Sequence, residues 1–154
     1  VRRHVATIVC SEDSTISLSS TGVPYCFGSL RESFEKRKIV PPQPYPTLEN
    51  IIAVGRGTDH VVCLNNEGKV FTFGLDKDGR LGKPDSLFTK VKIIYNNLIY
   101  GRNTYIYTSF PFELRDIPTI VQISCGENFT VCMCENGHLY SFGVNNYGQL
   151  GLGS

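Results

Sequence analysis

Three histidines and a set of acidic side chains are the residues of this 154-residue chain that could carry acid–base chemistry. His4, His60 and His138 stand in different local contexts, and the sequence contains no Gly-x-Ser-x-Gly or His-Glu-x-x-His motif. It also lacks the Gly-x-x-x-x-Gly-Lys-Ser/Thr pattern of a phosphate-binding loop. The sequence therefore predicts no catalytic residues, and we expect neither enzyme activity nor a cofactor.

Two short patterns could indicate a metal. Cys132 and Cys134 are the only closely spaced pair among six cysteines, and no second pair lies at a zinc-like distance. Reduced, buried thiols of an intracellular protein are the favoured interpretation. Asp76 and Asp78 precede Gly79 as in a calcium loop, but the later bidentate carboxylate is missing, which favours a plain turn. No metal site is predicted.

The composition is that of a folded, nearly neutral protein. The formal net charge is +1, with 41% hydrophobic and 19% charged residues. No global field attracts nucleic acid or an acidic membrane, and no apolar run reaches the length of a membrane span. The chain does not begin with Met and stops just after a repeat signature. We therefore expect a segment of a longer protein. The reduced cysteines indicate an intracellular location, in cytoplasm or nucleus.

The elements that must position any site follow an internal repeat. Residues 137–151 and 68–82 share the order turn glycine, short apolar-aromatic strand, glycine, polar loop and second turn, and residues 22–28 are a shorter copy. Similar strands precede each copy. One unit is expected to be a four-stranded antiparallel meander that begins with the strand after Pro42 or Pro111 and ends in Phe-Gly, with hairpin turns at glycine.

The side-chain pattern indicates sheets that are covered on both faces. Val62 and Leu64 point to one side of their strand while Val61 and Cys63 point to the other, and both sets are apolar or small. Stacked sheets would produce this pattern. The only candidate helix is residues 30–38, which has a weak i,i+4 face.

The unequal spacing of the copies indicates an insertion. We divide the chain into a degenerate unit at 1–28, a unit at 42–82, an insertion at 83–110 and a unit at 111–154. Alternation at residues 90–95 and 105–107 predicts an extra hairpin within the insertion.

These residues resemble the repeat of the regulator of chromosome condensation family. The match consists of a Cys-Gly-x-x-(His/Phe) lead, an apolar strand, and Gly-x-Leu-Tyr-x-Phe-Gly-x-Asn-x-x-Gly-Gln-Leu-Gly. Residues 120–151 fit it closely, residues 51–82 well and residues 6–28 in outline. The resemblance implies an all-β fold of propeller blades, about three blades of a ring that typically has seven.

The resemblance also implies a candidate site. Chromatin-associated members of the family look like nucleotide exchange factors for the small GTPase Ran, with acidic and histidine residues of blade-start loops facing the GTPase. Asp59 and His60 match that pattern here, and Asp13 and Asn128 hold the equivalent position in the other copies. The alternative for His60 is a ring that hydrogen-bonds backbone and ties adjacent strands.

The insertion offers a second candidate surface, because tyrosine and arginine are common interface anchors. The residues concerned are Tyr95, Tyr100, Arg102 and Tyr105. The alternative is an insertion that folds its aromatic side chains back onto the propeller rim. A cluster of basic residues within 31–38 is interpreted as a solvated loop, with phosphate contact as the alternative.

Together these patterns predict a protein–protein interaction platform built from propeller repeats. The alternative is a guanine nucleotide exchange factor for a Ran-like small GTPase. The expected partner is a protein, with a small GTPase as one candidate. Neither a membrane nor, from this segment, nucleic acid is expected as a partner.

Overall fold

The computed structural model describes residues 4–31, 37–45, 47–84 and 106–152, and these contain eleven β-strands and no helix. The strands are β1 (Val5–Cys10), β2 (Ser14–Ser19), β3 (Pro24–Arg31), β4 (Arg37–Pro44), β5 (Ile51–Arg56), β6 (His60–Asn65), β7 (Val70–Asp76), β8 (Ile106–Glu113), β9 (Ile120–Cys125), β10 (Phe129–Cys134) and β11 (Leu139–Gly143). It follows that no helix in the described ranges could cross a membrane.

The strands form three separate antiparallel sheets. Sheet 1 has the order β1-β2-β3-β4, sheet 2 the order β5-β6-β7-β8, and sheet 3 the order β9-β10-β11. Within each sheet, every strand pairs with its neighbour in sequence. The predicted succession of small meanders is confirmed.

The proline-bearing strand belongs to a different sheet from the one expected. β4 pairs with β3, with Gly28 opposite Val40, and β8 pairs with β7, with Gly74 opposite Thr108. The strands that carry Pro42 and Pro111 are thus the last strands of sheets 1 and 2, and the predicted framing of the unit is wrong by one strand. The outermost position suits proline, which has no N–H to donate to a further strand.

The candidate helix at residues 30–38 is also wrong where the structure describes it. Leu30 lies opposite Lys38 and Arg31 lies opposite Arg37, so these residues are the facing ends of β3 and β4. A short, weakly amphipathic segment gains little as an isolated helix, whereas cross-strand pairing completes sheet 1.

Glycine permits the hairpin turns that connect the second and third strands of each sheet. Gly22, Gly68 and Gly137 have φ of 77°, 77° and 81°, a region that residues with a side chain seldom adopt. The Gly68 N–H donates to the carbonyl of Asn65, which closes the turn between β6 and β7. The predicted glycine turns are confirmed.

Two apolar clusters cover the two faces of sheet 2. The first joins sheet 2 to sheet 1 and includes Ile16, Leu18, Ile51, Val54, Val61, Cys63 and Phe73. The second joins it to sheet 3 and includes Val62, Leu64, Val70, Leu114, Ile120 and Cys132. The alternating apolar side chains of β6 therefore pack on both sides, as predicted. Since burying one large apolar side chain contributes about 1.5–3 kcal/mol to the free energy of unfolding, these clusters are the main source of stability.

The two outward faces of the stack expose apolar side chains. Ile8 of sheet 1 is 61% exposed and Leu139 of sheet 3 is 66% exposed. Ile8 and Leu139 lie on sheet faces equivalent to the two faces of sheet 2 that neighbouring sheets cover. These faces have the composition of surfaces that pack against further sheets.

The predicted hairpin in the insertion falls mostly outside the described residues. Ile106 and Tyr107 pair with Asp76 and Leu75 in the β8–β7 ladder. The second arm expected for an extra hairpin is therefore the beginning of the fourth strand of sheet 2.

Candidate functional site

Three equivalent loops lie at the same end of the three sheets. Residues 11–13, 57–59 and 126–128 connect the first strand of each sheet to the second. The N–H of Thr58 donates to the carbonyl of Glu127 at 2.9 Å and joins the loops of sheets 2 and 3 directly. We call this end of the stack, formed by these three loops, the loop face.

Each of these loops is held by the same backbone hydrogen bond. The carbonyl of the third loop residue accepts from the residue that follows a Phe-Gly glycine. The pairs are Ser29 N–Asp13 O at 2.8 Å, Leu75 N–Asp59 O at 2.8 Å and Val144 N–Asn128 O at 3.0 Å.

The Phe-Gly glycine makes this contact possible. Gly28, Gly74 and Gly143 have φ of 105°, 117° and 113°. A Cβ on Gly28 would lie 2.6 Å from the Asp13 carbonyl oxygen, and one on Gly143 would lie 2.5 Å from that of Asn128. The repeated glycine therefore sets the position of the loop face.

The structure brings three of the predicted site residues together on the loop face. Asp13, Asp59 and Asn128 occupy equivalent positions, and each is partly exposed. Their backbone is fixed by the bonds just described, so their side chains are presented from rigid positions. A role in binding a partner remains a prediction for all three.

His60 is not on that surface. The residue is fully buried, and its Nε2 lies 3.0 Å from the Thr130 hydroxyl of sheet 3. Its predicted place on a partner-binding surface is wrong, because the first position of β6 points into the junction between sheets 2 and 3. The alternative, a ring tying strands together, is correct in kind, although the bond joins two sheets through a side chain rather than through backbone.

The surroundings of His60 keep its ring neutral. Burial, together with the nearby guanidinium groups of Arg80 and Arg56, lowers the pKa of His60 from 6.5 to about 4. Gly57 leaves space for the imidazole, since a Cβ there would overlap the ring. His60 is suited to structural support and not to proton transfer at neutral pH.

Arg56 provides a second polar link between sheets, which sequence reasoning missed. Its Nη2 donates to the Ser14 hydroxyl of sheet 1 at 2.6 Å, and its Nη1 lies 3.5 Å from the His60 carbonyl oxygen. The sequence feature that could have indicated this link is an arginine at a strand position where the other two repeats carry Cys10 and Cys125.

Arg80 explains the acidic turn that resembled a calcium loop. It is 3% exposed, its Nε donates to the Lys77 carbonyl at 2.8 Å, and its Nη2 lies 3.3 Å from the Asp78 carboxylate. The turn interpretation is confirmed. Among the described residues no group of three or more side chains has the composition and proximity of a metal site.

The six cysteines are free, and four of them are buried. Burial raises the pKa of Cys26 and of Cys125 to about 11 and that of Cys132 to about 12, with the Cys125 sulfur adding to the shift at Cys132. Burial raises the pKa of Cys63 as well. These thiols are packing groups with little thiolate character.

The second candidate surface lies outside the described residues. This applies to Tyr95, Tyr100, Arg102 and Tyr105, whose proposed role as interface anchors stays a prediction. Of the basic cluster within 31–38, the structure places Arg31, Arg37 and Lys38 on the facing ends of β3 and β4.

Sequence comparison identifies the repeat. A family model described as the Regulator of chromosome condensation (RCC1) repeat matches residues 67–133, and a second of the same description matches residues 120–149. Together the matches extend over more than half of the chain.

Curated relatives include the Regulator of chromosome condensation of Mus musculus, which is 26% identical over 98% of this chain and 37% of its own length. The X-linked retinitis pigmentosa GTPase regulator of Homo sapiens is 38% identical over 68% of this chain and 9% of its own length. The chain thus spans little more than a third of the first relative and much less of the second.

Solved structures show the same fold. Prp20p from Saccharomyces cerevisiae, described together with its binding properties to Gsp1p and histones, superposes with a TM-score of 0.76 at 21% identity, covering 99% of this chain and 36% of that one. Yeast RCC1 (Prp20) bound to Kap60 also gives a TM-score of 0.76, at 20% identity, over 98% of this chain and 34% of that one. The three sheets are successive blades of a β-propeller.

Proposed function

Because the chain belongs to the regulator of chromosome condensation repeat family, we propose that it is part of a propeller that serves as a protein-interaction platform. The loop face is the surface that meets the partner. The proposal depends above all on one observation, that three equivalent loops are pinned on one face by the same carbonyl bond.

The geometry favours binding over covalent chemistry. Asp13, Asp59 and Asn128 point from fixed backbone positions, whereas His60, the histidine that follows Asp59, is buried and kept neutral. A rigid set of loops recognises a partner with little loss of conformational entropy. We accordingly propose a non-enzymatic role, in an intracellular location and away from membranes.

The experiment compares two triple variants of the intact protein. The loop-face variant combines Asp13→Ala, Asp59→Ala and Asn128→Ala. The control combines Ser20→Ala, Glu67→Ala and Glu135→Ala, which are exposed and lie at the hairpin turns on the opposite end. Both variants remove two negative charges, so a general electrostatic effect would be equal in the two.

The expected result is a loss of protein partners by the loop-face variant in quantitative affinity purification, with partner recovery by the control unchanged. Affinity for an isolated partner should fall at least about tenfold, as for interface anchors. Equal recovery by both variants, with both folded, would remove the loop face from consideration.

A narrower proposal is that the partner is a small GTPase whose nucleotide exchange the protein accelerates. Supporting it are the similarity to a Regulator of chromosome condensation over 98% of this chain and the solved relative described with its binding to Gsp1p. Asp59 is the residue on which the test depends, since it lies on the loop face and His60 does not.

Release of a labelled guanine nucleotide from a Ran-like GTPase measures this activity. The intact protein should accelerate release, and Asp59→Ala should reduce the acceleration, while Glu67→Ala should not. If a GTPase binds but its nucleotide release is unchanged, the platform stands and the exchange activity is rejected.

A further inference from the structure

The chain that leaves β7 is anchored to sheet 2 step by step. The Thr72 hydroxyl donates to the Leu81 carbonyl at 2.7 Å, and the Leu81 side chain is fully buried. Gly82 then passes so close to Leu114 and Phe142 that a Cβ there would lie 3.1 Å from each. The path of the chain is therefore determined up to the residue that follows Gly82.

That residue is Lys83, and its ammonium group reaches across to the strand at which the chain returns. Nζ donates to the Thr108 hydroxyl at 2.7 Å and lies 5.2 Å from the centre of the Phe112 ring. Lys83 is only partly exposed, and this burial lowers its pKa, an effect that Asp76 opposes. The ammonium thus joins residues on either side of the 85–105 segment.

The repeat supplies an internal comparison for this position. In sheet 3 the same loop reads Gly148-Gln149-Leu150-Gly151 and is followed by Leu152. In sheet 2 it reads Gly79-Arg80-Leu81-Gly82 and is followed by Lys83. The chain therefore carries a lysine, in place of leucine, in the unit from which a long insertion departs.

The β7–β8 ladder has two parts, and the Lys83 ammonium donates to Thr108 in the part nearer the insertion and lies over the Phe112 ring in the other. A register shift separates the pairs of Phe71 and Thr72 with the end of β8 from the pairs of Gly74 to Asp76 with Thr108 to Ile106. Thr108 belongs to the second part. The hydrogen bond from Lys83 to Thr108 stabilises this second part, whereas the contact with the Phe112 ring lies in the first.

We propose that the Lys83 side chain holds the chain leaving β7 against the first residues of β8, and we call this contact the clasp. The clasp fixes the root of the insertion, which consists of residues 83–84 and 106–108. The clasp depends on charge, because its hydrogen bond and its contact with the Phe112 ring both require the ammonium group. Loss of that charge frees the root while β6 and the core of sheet 2 remain folded.

Amide hydrogen exchange of the intact protein tests the clasp. Lys83→Met keeps the length of the side chain and removes the charge, Thr108→Val removes the hydroxyl at nearly constant volume, and Lys83→Arg retains the charge as the control. We expect exchange at residues 106–108 to rise about five- to tenfold in Lys83→Met and in Thr108→Val. Exchange in β6 should not change, and Lys83→Arg should remain close to the unmodified protein.

The double variant Lys83→Met/Thr108→Val should show no more exchange at these residues than the stronger single variant, because Lys83→Met already removes the hydrogen bond that Thr108→Val breaks. Unchanged exchange at residues 106–108 in Lys83→Met would overturn the proposal. So would additive effects in the double variant, or a rise of equal size in β6, which would indicate general loss of stability.

Discussion

His60 in sheet 2 and Thr130 in sheet 3 are 70 residues apart in sequence, yet Nε2 of one lies 3.0 Å from Oγ1 of the other in a buried junction. Since the ring stays neutral near pH 7, this is a hydrogen bond between uncharged groups. It adds a polar side-chain link to a junction in which apolar side chains of the two blades pack together. The junction is thus specified by a polar pair as well as by the core.

Removing the Thr130 hydroxyl should destabilise the junction. Thr130→Val leaves the buried His60 Nε2 without its partner, at a cost of about 1–2 kcal/mol in the free energy of unfolding. Thr15 holds the equivalent position in sheet 1, and its hydroxyl faces only the Cys10 sulfur at 3.7 Å. Urea denaturation of Thr130→Val and Thr15→Val should therefore differ, and equal losses would contradict the role given to His60.

The buried imidazole should make stability depend on pH. Its pKa is about 4 in the folded protein and 6.5 as the ordinary value, so between these values the unfolded chain binds a proton that the folded chain does not. The contribution is constant above about pH 7 and reduces the free energy of unfolding as the pH falls toward 4, by roughly 3 kcal/mol in all.

Urea denaturation over this pH range measures the effect. Carboxylates also titrate there, so the comparison is with His60→Gln, which retains them and lacks the imidazole. The pH dependence of the variant should be weaker by the stated amount, and parallel profiles would show that His60 does not contribute.

Gly74 in β7 and Gly79 in the turn that follows should respond very differently to alanine. At Gly74 (φ 117°) a Cβ would collide with the Asp59 carbonyl oxygen, and at Gly79 (φ 71°) it would meet nothing within 4 Å. Gly74→Ala should lower the free energy of unfolding by roughly 3 kcal/mol, because collision adds to backbone strain, and Gly79→Ala by roughly 1 kcal/mol. Thermal unfolding provides the measurement, and similar shifts in Tm for the two would mean that the loop moves to accommodate the methyl group.

The link between sheets 1 and 2 should depend on a small hydroxyl group. Ser14→Ala removes the acceptor of Arg56 Nη2 at 2.6 Å in a buried setting. We expect a loss of about 1–2 kcal/mol in the free energy of unfolding. Ser124→Ala, on the exposed side of β9, is the control and should change little. No difference between the two would show that Arg56 finds another partner of equal strength.

The buried thiol of Cys63 should resist alkylation. Cys63 is fully buried, and burial raises its pKa, so both access and thiolate population are low. Mass spectrometry should show iodoacetamide modifying Cys63 at least about a hundredfold more slowly in the native protein than in denaturant. Rapid native modification would mean that the junction opens frequently.

Much of the fold could be predicted because its signals are local. The alternation in β6, the turn glycine at Gly68 and the Phe-Gly within β7 each depend on a few neighbouring residues. Their repetition indicated several similar units with two covered faces. The loop positions of Asp13, Asp59 and Asn128 followed from the same repeat, since equivalent residues of equivalent units lie at one end of a stack.

The rest could not be predicted because it depends on which distant segments meet. A strand that carries Pro42 or Pro111 could be the first strand of one sheet or the last strand of the preceding sheet. Only backbone pairing decides between these two arrangements. His60 was a candidate surface residue because the family resemblance places histidines of blade-start loops against a partner. A strand pattern does not reveal whether its first side chain points outward or toward the next sheet.

The sequence alone determined the strands, their turns and the repeat that relates them, because hydrophobic alternation and the backbone freedom of glycine act over a few residues. The tertiary structure decided which sheet each proline-bearing strand joins, that His60 faces Thr130, and that Lys83 reaches Thr108. Those contacts join residues tens of positions apart, and their free energy depends on burial and geometry that exist only once the sheets have packed.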